Sequence, residues 1–366
     1  MKLKKLVLKN FRNYSNLDVD FSDTTNIIFG DNGSGKSNLI EGIYLLALTK
    51  SFRTNNDLNL IKENEGKASV NGTIVTNEKC SYQIDIDEEG KKVFIDGDKL
   101  NKISDYVTKI NIVLFNPLDT RFINDSPAFR RKILNIEISQ INKEYLNLLS
   151  DYNKVLKNRN AYLKQLLING NSSTEYLDIL TGKLIDYGLK IANIRNEYIN
   201  ELNNFISDIY KNIFEYGDLK INYKSMFKNK NVDKLTDDYR RNYRKEMNYG
   251  KTLFGIHHDD FEIKLDGHNI REYGSVGQQK NSIISFKLSE VLIIKKLTHD
   301  FPILILDDLF SELDDKKINN IIKMLNKEVQ TFITTTDIDK VNKELLVDAS
   351  IYKVNNANVE RIDNNG

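Results

Sequence analysis

The chain of 366 residues holds a single cysteine, Cys80, so no internal disulfide can form. A reducing compartment such as the cytosol fits that count. Charges of the two signs nearly cancel, with 53 Lys and Arg against 52 Asp and Glu. A net charge of +1 excludes a global field that would attract nucleic acid or an anionic membrane, so any such binding must use local patches. No apolar run approaches the ~18 residues of a membrane span. The opening Met1-Lys2-Leu3-Lys4-Lys5 is basic, yet no long apolar stretch follows, so a signal peptide is not expected. Only three prolines occur while Lys, Asn and Ile abound, which reads as base-composition bias rather than function. The length allows two or three domains and is ample for a substantial core.

What is present centres on Gly30 to Ser37, GDNGSGKS, which fits G-x-x-x-x-G-K-[ST]. Upstream, Ile27-Ile28-Phe29 reads as a buried strand. Downstream, Ser37 to Glu41 runs into Ile43, Leu45, Leu46 and Leu48, which reads as a helix. Strand, glycine-rich loop and helix is the context this motif requires. The glycines let backbone N–H groups turn inward around phosphate oxygens, and the helix N-terminus adds partial positive charge. Lys36 then reaches the β- and γ-phosphates, and the Ser37 hydroxyl meets Mg²⁺.

Around this loop the chain divides by composition. Residues 3–10 and 17–21 read as strands, as do 68–75, 82–87 and 91–95, the last three forming an antiparallel patch with turns at Glu89-Gly90 and Asp96-Gly97. Residues 110–115 read as a buried strand ending at Asn116-Pro117. Ser126-Pro127 then marks a helix start that carries Arg130, Arg131 and Lys132. Two segments of helical period, 143–168 and 177–198, flank the break at 169–173 and form an antiparallel hairpin whose first arm would be roughly 40 Å long. The spacing fits a projecting arm and a helical bundle equally. A strand at 219–223 and a basic helix follow, with Arg240, Arg241, Arg244 and Lys245 among Tyr239 and Tyr243, diluted by Asp237, Asp238 and Glu246. Such a helix can grip phosphates or simply face solvent.

Ile303 to Leu306 is an aliphatic run suited to a strand covered on both faces, and it ends in Asp307-Asp308. Ligands of a doubly wound sheet gather at the carboxyl ends of its strands. Asp307 is therefore expected near the Mg²⁺ held by Ser37, with Asp308 polarising the attacking water. Three further pieces complete the order: Ser275-Val276-Gly277-Gln278 before a helix over about 278–297, Ser311-Glu312-Leu313-Asp314, and a strand at 331–335. A second phosphate-binding turn far from the first makes sense if it closes on a nucleotide held by another subunit.

That order resembles the ABC-type ATPase head. In detail it is similar to the RecF family of bacterial recombination mediators, through NFRNY (10–14), GDNGSGKSNLIEGIYLLA (30–47), SFRT (51–54), LFNP (114–117), SPAFRRKILN (126–135), GKTLFGIHHDDFEI (250–263), GSVGQQK (274–280) and LDDLFSELD (306–314). The helical middle matches least.

The resemblance implies a cytoplasmic ATP- and DNA-binding protein of DNA repair, replication and the SOS response. Such a protein dimerises with ATP at the interface and works with RecR and RecO to load RecA at gaps. It also implies ATP and Mg²⁺ as cofactors and DNA, duplex and single-strand/duplex junctions, as partner, with no membrane. By position, Gly30, Asp31, Asn32, Gly33, Ser34, Gly35, Lys36, Ser37 and Asn38 hold the nucleotide. Ser275, Gly277 and Gln278 complete the partner's site, Ser37 and Asp307 bind Mg²⁺, and Asp308 and Lys36 support hydrolysis. Arg12 and Arg53 are nucleotide-side arginines.

The expected fold is α/β, an ABC-type head built from residues 1–115 and 250–366, with an antiparallel β patch and a helical lobe at 116–249. Two departures from the family pattern stand out. His258 takes the place of a basic residue in Ile256-His257-His258-Asp259-Asp260, and metal binding there is not expected if consecutive residues alternate sides along a strand. Asp308 is one methylene shorter than the usual Glu, so hydrolysis is expected to be slow, a weak DNA-stimulated ATPase with ATP as a switch. The helical insertion of about 130 residues argues against a transporter subunit, the short hairpin against an SMC-like tether, and the lack of a second acidic cluster against a two-metal nuclease.

Overall fold

The computed structural model describes residues 1–116, 121–169, 174–309, 313–325, 328–338, 341, 346 and 348–362. The chain forms two compact units. The first comprises Met1–Thr120, Asp208–Tyr216 and Ile283–Gly366, and the second Arg121–Ser207 and Gly217–Ser282.

The first unit holds two sheets. One is antiparallel, in the order β2 (Tyr14–Asp20), β1 (Lys2–Phe11), β4 (Ala68–Val75), β5 (Lys79–Asp87), β6 (Gly90–Ile95) and β7 (Asp98–Lys99). The alternating burial of β4 shows one face toward the core. The β patch expected after the first helix is therefore continuous with the first two strands, joined by the β1–β4 ladder. The other sheet has the order β15 (Asn358–Ile362), β14 (Ala349–Asn355), β3 (Thr25–Phe29), β13 (Thr331–Thr335), β12 (Ile303–Asp307) and β8 (Ile112–Phe115). All its pairings are parallel except β14 with β15. Helix α1 (Lys36–Leu48) packs on β1, β4 and β5 of the first sheet and on β8 and β12 of the second. Its near-complete burial follows from that double contact and explains why residues 39–48 are apolar but for Glu41. Buried Gln330 ties the sheets, donating to Leu3 O at 2.8 Å and accepting from Leu3 N at 2.7 Å. Helices α2 (Ser104–Val107), α7 (Ile206–Phe214) and α11 (Asp315–Met324) and a 3-10 turn at Asp57–Leu60 also fall wholly or mainly in this unit.

The second unit contains α3 (Arg121–Asn124), α4 (Pro127–Ile141), α5 (Lys143–Asn169), α6 (Glu175–Asn203), α8 (Val232–Tyr249), α9 (Ile270–Tyr273) and a three-stranded sheet, β11 (His268–Asn269), β10 (Asp260–Leu265) and β9 (Leu219–Lys224). Helix α10 (Val276–Thr298) begins in it and continues into the first unit. Helices α5 and α6 run antiparallel, since Tyr145 meets Arg195 while Arg159 meets Thr181. Helix α8 lies against both, so the hairpin is part of a bundle, with Tyr243 and Met247 against Leu163, Leu166 and Leu177.

The boundary expected at 250 moves. Residues 250–282 belong with the helical unit because β10 pairs with β9 along its whole length and the turn before it is held by Arg195, whose Nη1 donates to Ile256 O at 3.0 Å. Ile256–His258 is a 3-10 turn rather than a strand, so side-chain alternation does not apply there.

Candidate nucleotide site

The loop between β3 and α1 is shaped by positions only glycine can fill. A Cβ on Gly30 would lie 2.2 Å from Val354 O, and Gly35 has φ of +124° with the Tyr14 hydroxyl 2.9 Å from where its Cβ would be. Tyr14 instead donates that hydroxyl to Gly35 O at 3.1 Å. Lys36 folds back over the loop, donating to Gly30 O at 2.6 Å and Asp31 O at 2.9 Å. Burial lowers its pKa, against the pull of Asp308, Asp307 and Asp31. Among the described residues the buried Ser34 hydroxyl has no hydrogen-bond partner. A buried polar atom without a partner is costly, and this one sits in the loop.

The parallel register brings the second half of the site to the same sheet edge. Strand β13 lies between β3 and β12, with Thr334 opposite Asp307 on one side and Ile28 on the other. Thr334 Oγ1 donates to Asp307 Oδ1 at 2.5 Å and accepts from Asp308 N at 2.9 Å. Burial raises the Asp307 pKa, with the Thr334 hydrogen bond opposing. Asp308 takes a left-handed backbone, φ +51°, which turns the chain sharply at the strand end. Asn32, Gly33, Gly35, Lys36, Ser37, Asn38, Arg53, Asp307, Asp308, Thr334 and Thr336 line one cavity of about 340 Å³. Two glycines, an ammonium, the Ser37 hydroxyl and two carboxylates form a donor and acceptor set that suits a phosphate chain with a hard divalent cation, while Gly30, Asp31 and Ser34 shape the loop without lining the cavity.

Not every candidate residue joins this cavity. Arg12 is bound to Glu41 through Nε at 2.8 Å and Nη2 at 2.7 Å, and only Arg53 of the two arginines lines the space. Ser275, Gly277 and Gln278 lie in the second unit. There Ser275 N donates to Gln278 Oε1 at 2.9 Å and Gln278 N to Ser275 Oγ at 3.2 Å, a reciprocal cap on α10. The Ser275 hydroxyl proton is left as a donor. Ser311 and Glu312 lie outside the described residues.

The proposed DNA arginines sort differently. Arg130 is buried, bonded to Asp260 at 2.7 and 2.8 Å, because its face of α4 packs on β10. Arg131 is half-buried and donates to Asp259 O at 2.7 Å. Arg130 is thus closed by a carboxylate, and Arg131 is partly withdrawn from the surface. Glu246, expected to dilute the basic helix, is fully buried and paired with Arg159 at 2.7 Å. Arg240, Arg241, Arg244 and Lys245 therefore occupy the exposed face of α8 without it. Sequence reasoning missed Glu41 and Thr334. Thr334 lies on the strand that pairs with β12, opposite Asp307, and was findable only through that pairing.

The RecF/RecN/SMC N terminal domain model matches residues 2–360. A DNA replication and repair protein RecF from Exiguobacterium sp. is 38% identical over 369 residues, covering 98% of this chain and 99% of that protein. The chain belongs to the RecF family. A RecF from Halalkalibacterium halodurans is 36% identical over 370 residues, covering 99% of this chain and all of that one. The solved structure of a recombination mediator protein RecF with ATP, from the RecFOR pathway, superposes with a TM-score of 0.91 at 32% identity, covering 99% of this chain and 98% of that one. An SMC head bound to the C-terminal winged-helix domain of ScpA has a TM-score of 0.56 at 17% identity and shares the fold alone. The RecF fold here is thus the ABC-type α/β head with a helical insertion.

Proposed function

We propose that this chain is an ATP-dependent DNA-binding protein of recombinational repair and replication restart. It acts as an ATP-gated dimer on duplex DNA beside single-strand gaps and helps RecR and RecO load RecA, in the cytoplasm. The observation that carries this reading is a cavity lined both by the glycine loop and by Asp307 and Asp308, in a chain of the RecF family. Relatives described as DNA replication and repair proteins, and one solved with ATP, support it. No helix among the described residues is long and apolar enough to cross a membrane.

Residues 30–38 hold the triphosphate, with Lys36 leaving its loop carbonyls for phosphate oxygens and Ser34 gaining the partner it lacks. Ser37 and Asp307 hold Mg²⁺, which offsets phosphate charge when bound. Asp308 accepts a proton from the attacking water; its short reach keeps turnover slow. Ser275 and Gly277 meet the nucleotide of a second copy, with Gln278 in the same turn. On DNA, Arg244 and Lys245 of α8 replace Arg130 and Arg131 as the leading contacts, since they are exposed.

Fluorescence anisotropy with gapped duplex, with and without ATP, tests the reading. ATP should tighten binding, and Arg244→Glu with Lys245→Glu should weaken it and flatten its dependence on salt by about one unit of log–log slope per lost phosphate contact. ATP-independent binding would remove the gating.

A further inference from the structure

Four donor atoms from two turns converge on one carboxylate beside the phosphate loop. Glu41, on α1, is fully buried. It accepts from Arg12 Nε and Nη2 at 2.8 and 2.7 Å, from Ser51 Oγ at 2.5 Å and, more loosely, from Arg53 Nη1 at 3.4 Å. A buried carboxylate needs compensation. The two-pronged Arg12 contact provides the one positive charge required, and such forked pairs are the strongest of their kind.

Arg53 is thus a surplus charge. It is 42% exposed and lines the cavity. Its shorter contact is with a neutral group, Asn38 Oδ1 at 2.6 Å, and Asn38 in turn donates to Asn13 Oδ1 at 2.8 Å. Its backbone is pinned as well, because Ser51 Oγ accepts from Arg53 N at 2.9 Å and from Thr54 N at 3.0 Å while donating to Glu41. Among the described residues no hydrogen bond is made by Arg53 Nε or Nη2. A guanidinium carries five N–H donors in a fixed fork, so two of its nitrogens are left for an acceptor in the cavity.

We infer that Glu41 is a positioning residue: through Arg12, Ser51 and the loose Arg53 contact it fixes the turn that presents Arg53 to a phosphate oxygen. Glu41 touches no ligand itself. The inference rests on the nucleotide reading above.

A mutant cycle on the full chain separates this role from a purely structural one. Affinity for ATP with Mg²⁺ is measured by calorimetry for the wild type, Glu41→Gln, Arg53→Ala and the double variant, beside thermal unfolding of each. Gln keeps the size of Glu but offers one acceptor oxygen where Arg12 uses two. Arg53→Ala is expected to weaken ATP about tenfold, the size of one charge-assisted hydrogen bond. Glu41→Gln should weaken it by a similar factor alone and add little in the Arg53→Ala background. Equal loss in both backgrounds, or full ATP affinity in Arg53→Ala, overturns the inference. Should Glu41→Gln not fold, Ser51→Ala releases the same turn without an unpaired charge and closes the same cycle. No binding by the folded wild type would overturn the nucleotide reading as well, which distinguishes the two failures.

Discussion

Lys36 in the head and Arg159 in the helical unit are both buried cations, 9% and 0% exposed, and they differ in what holds them. Arg159 has every nitrogen engaged within its own unit: Nε on Thr181 at 3.0 Å, Nη1 on Thr252 at 2.8 Å and Nη2 on Glu246 at 2.7 Å. Arg195 is similar, reaching Tyr145, Ile256, Asp259 and Asn135. Among the described residues Lys36 bonds two loop carbonyls alone, Ser34 Oγ in the same loop has no partner, and the Asp307 carboxyl pKa is raised by burial. Arg159 and Arg195 are closed by their partners and hold the helical unit together, although Asp259 Oδ1 there is also buried without a hydrogen bond among the described residues. Charge in the loop is left open at some cost in stability, which is what a site awaiting an anion and a cation requires.

The contrast is sharpest where a closed pair is broken. Arg159→Met leaves the buried Glu246 without its counter-charge, keeping the 2.8 Å bond from Leu253 N, and should destabilise the chain by about 3–5 kcal/mol, while adding Glu246→Leu should recover much of that. Denaturant unfolding of both variants checks it; equal loss in the two would mean that Glu246 is not held by the arginine.

His257 offers a pH test of the same unit. Its Nδ1 lies 2.7 Å from the Tyr152 hydroxyl, and burial, helped by the neighbouring His258, lowers its pKa to about 4. Unfolded, its pKa returns to about 6.5, so below that value the unfolded chain binds the extra proton. Stability attributable to this histidine is whole above about pH 6.5 and is lost as pH falls toward 4, by up to about 3 kcal/mol. Unfolding midpoints of the wild type and His257→Gln should converge over that window. A constant difference between them would refute the assignment.

In the open site the signs reverse. Lys36→Ala should cost at least about a hundredfold in ATP affinity, the loss of a charged contact in a site poor in water, with the thermal midpoint without ATP little changed. The smallest effect is expected at Ser34. Ser34→Ala removes a hydroxyl that has no partner, so the nucleotide-free chain should be unchanged or more stable by about 1 kcal/mol, while ATP binding weakens. Calorimetry and unfolding together read both halves. A destabilised Ser34→Ala with intact ATP affinity would place that hydroxyl among the closed groups.

How much of this was legible in the sequence depended on distance along the chain. GDNGSGKS declares its loop because all the residues that shape it are adjacent, and Ile303 to Asp308 declares a covered strand with an acidic end. The paired helices declared themselves by period. What failed needed a partner far away. Glu246 and Arg130 look like surface charges until Arg159, 87 residues distant, and Asp260, 130 residues distant, are brought to them. Residues 250–282 look like the start of the head's second half until β10 finds β9. Thr334 is an ordinary threonine until parallel pairing sets it against Asp307. Glu41 reads as a polar face of α1 until the turns at Arg12 and Ser51 close over it.

The most direct measurement is the mass in solution, with and without ATP and Mg²⁺, beside Lys36→Ala. An open site completed by the Ser275 turn of a second copy predicts a monomer that becomes a dimer only with ATP and not in the variant, with gapped duplex strengthening the dimer by linkage. A monomer under every condition would contradict the two-subunit site and leave the phosphate loop as that of a generic ATPase head.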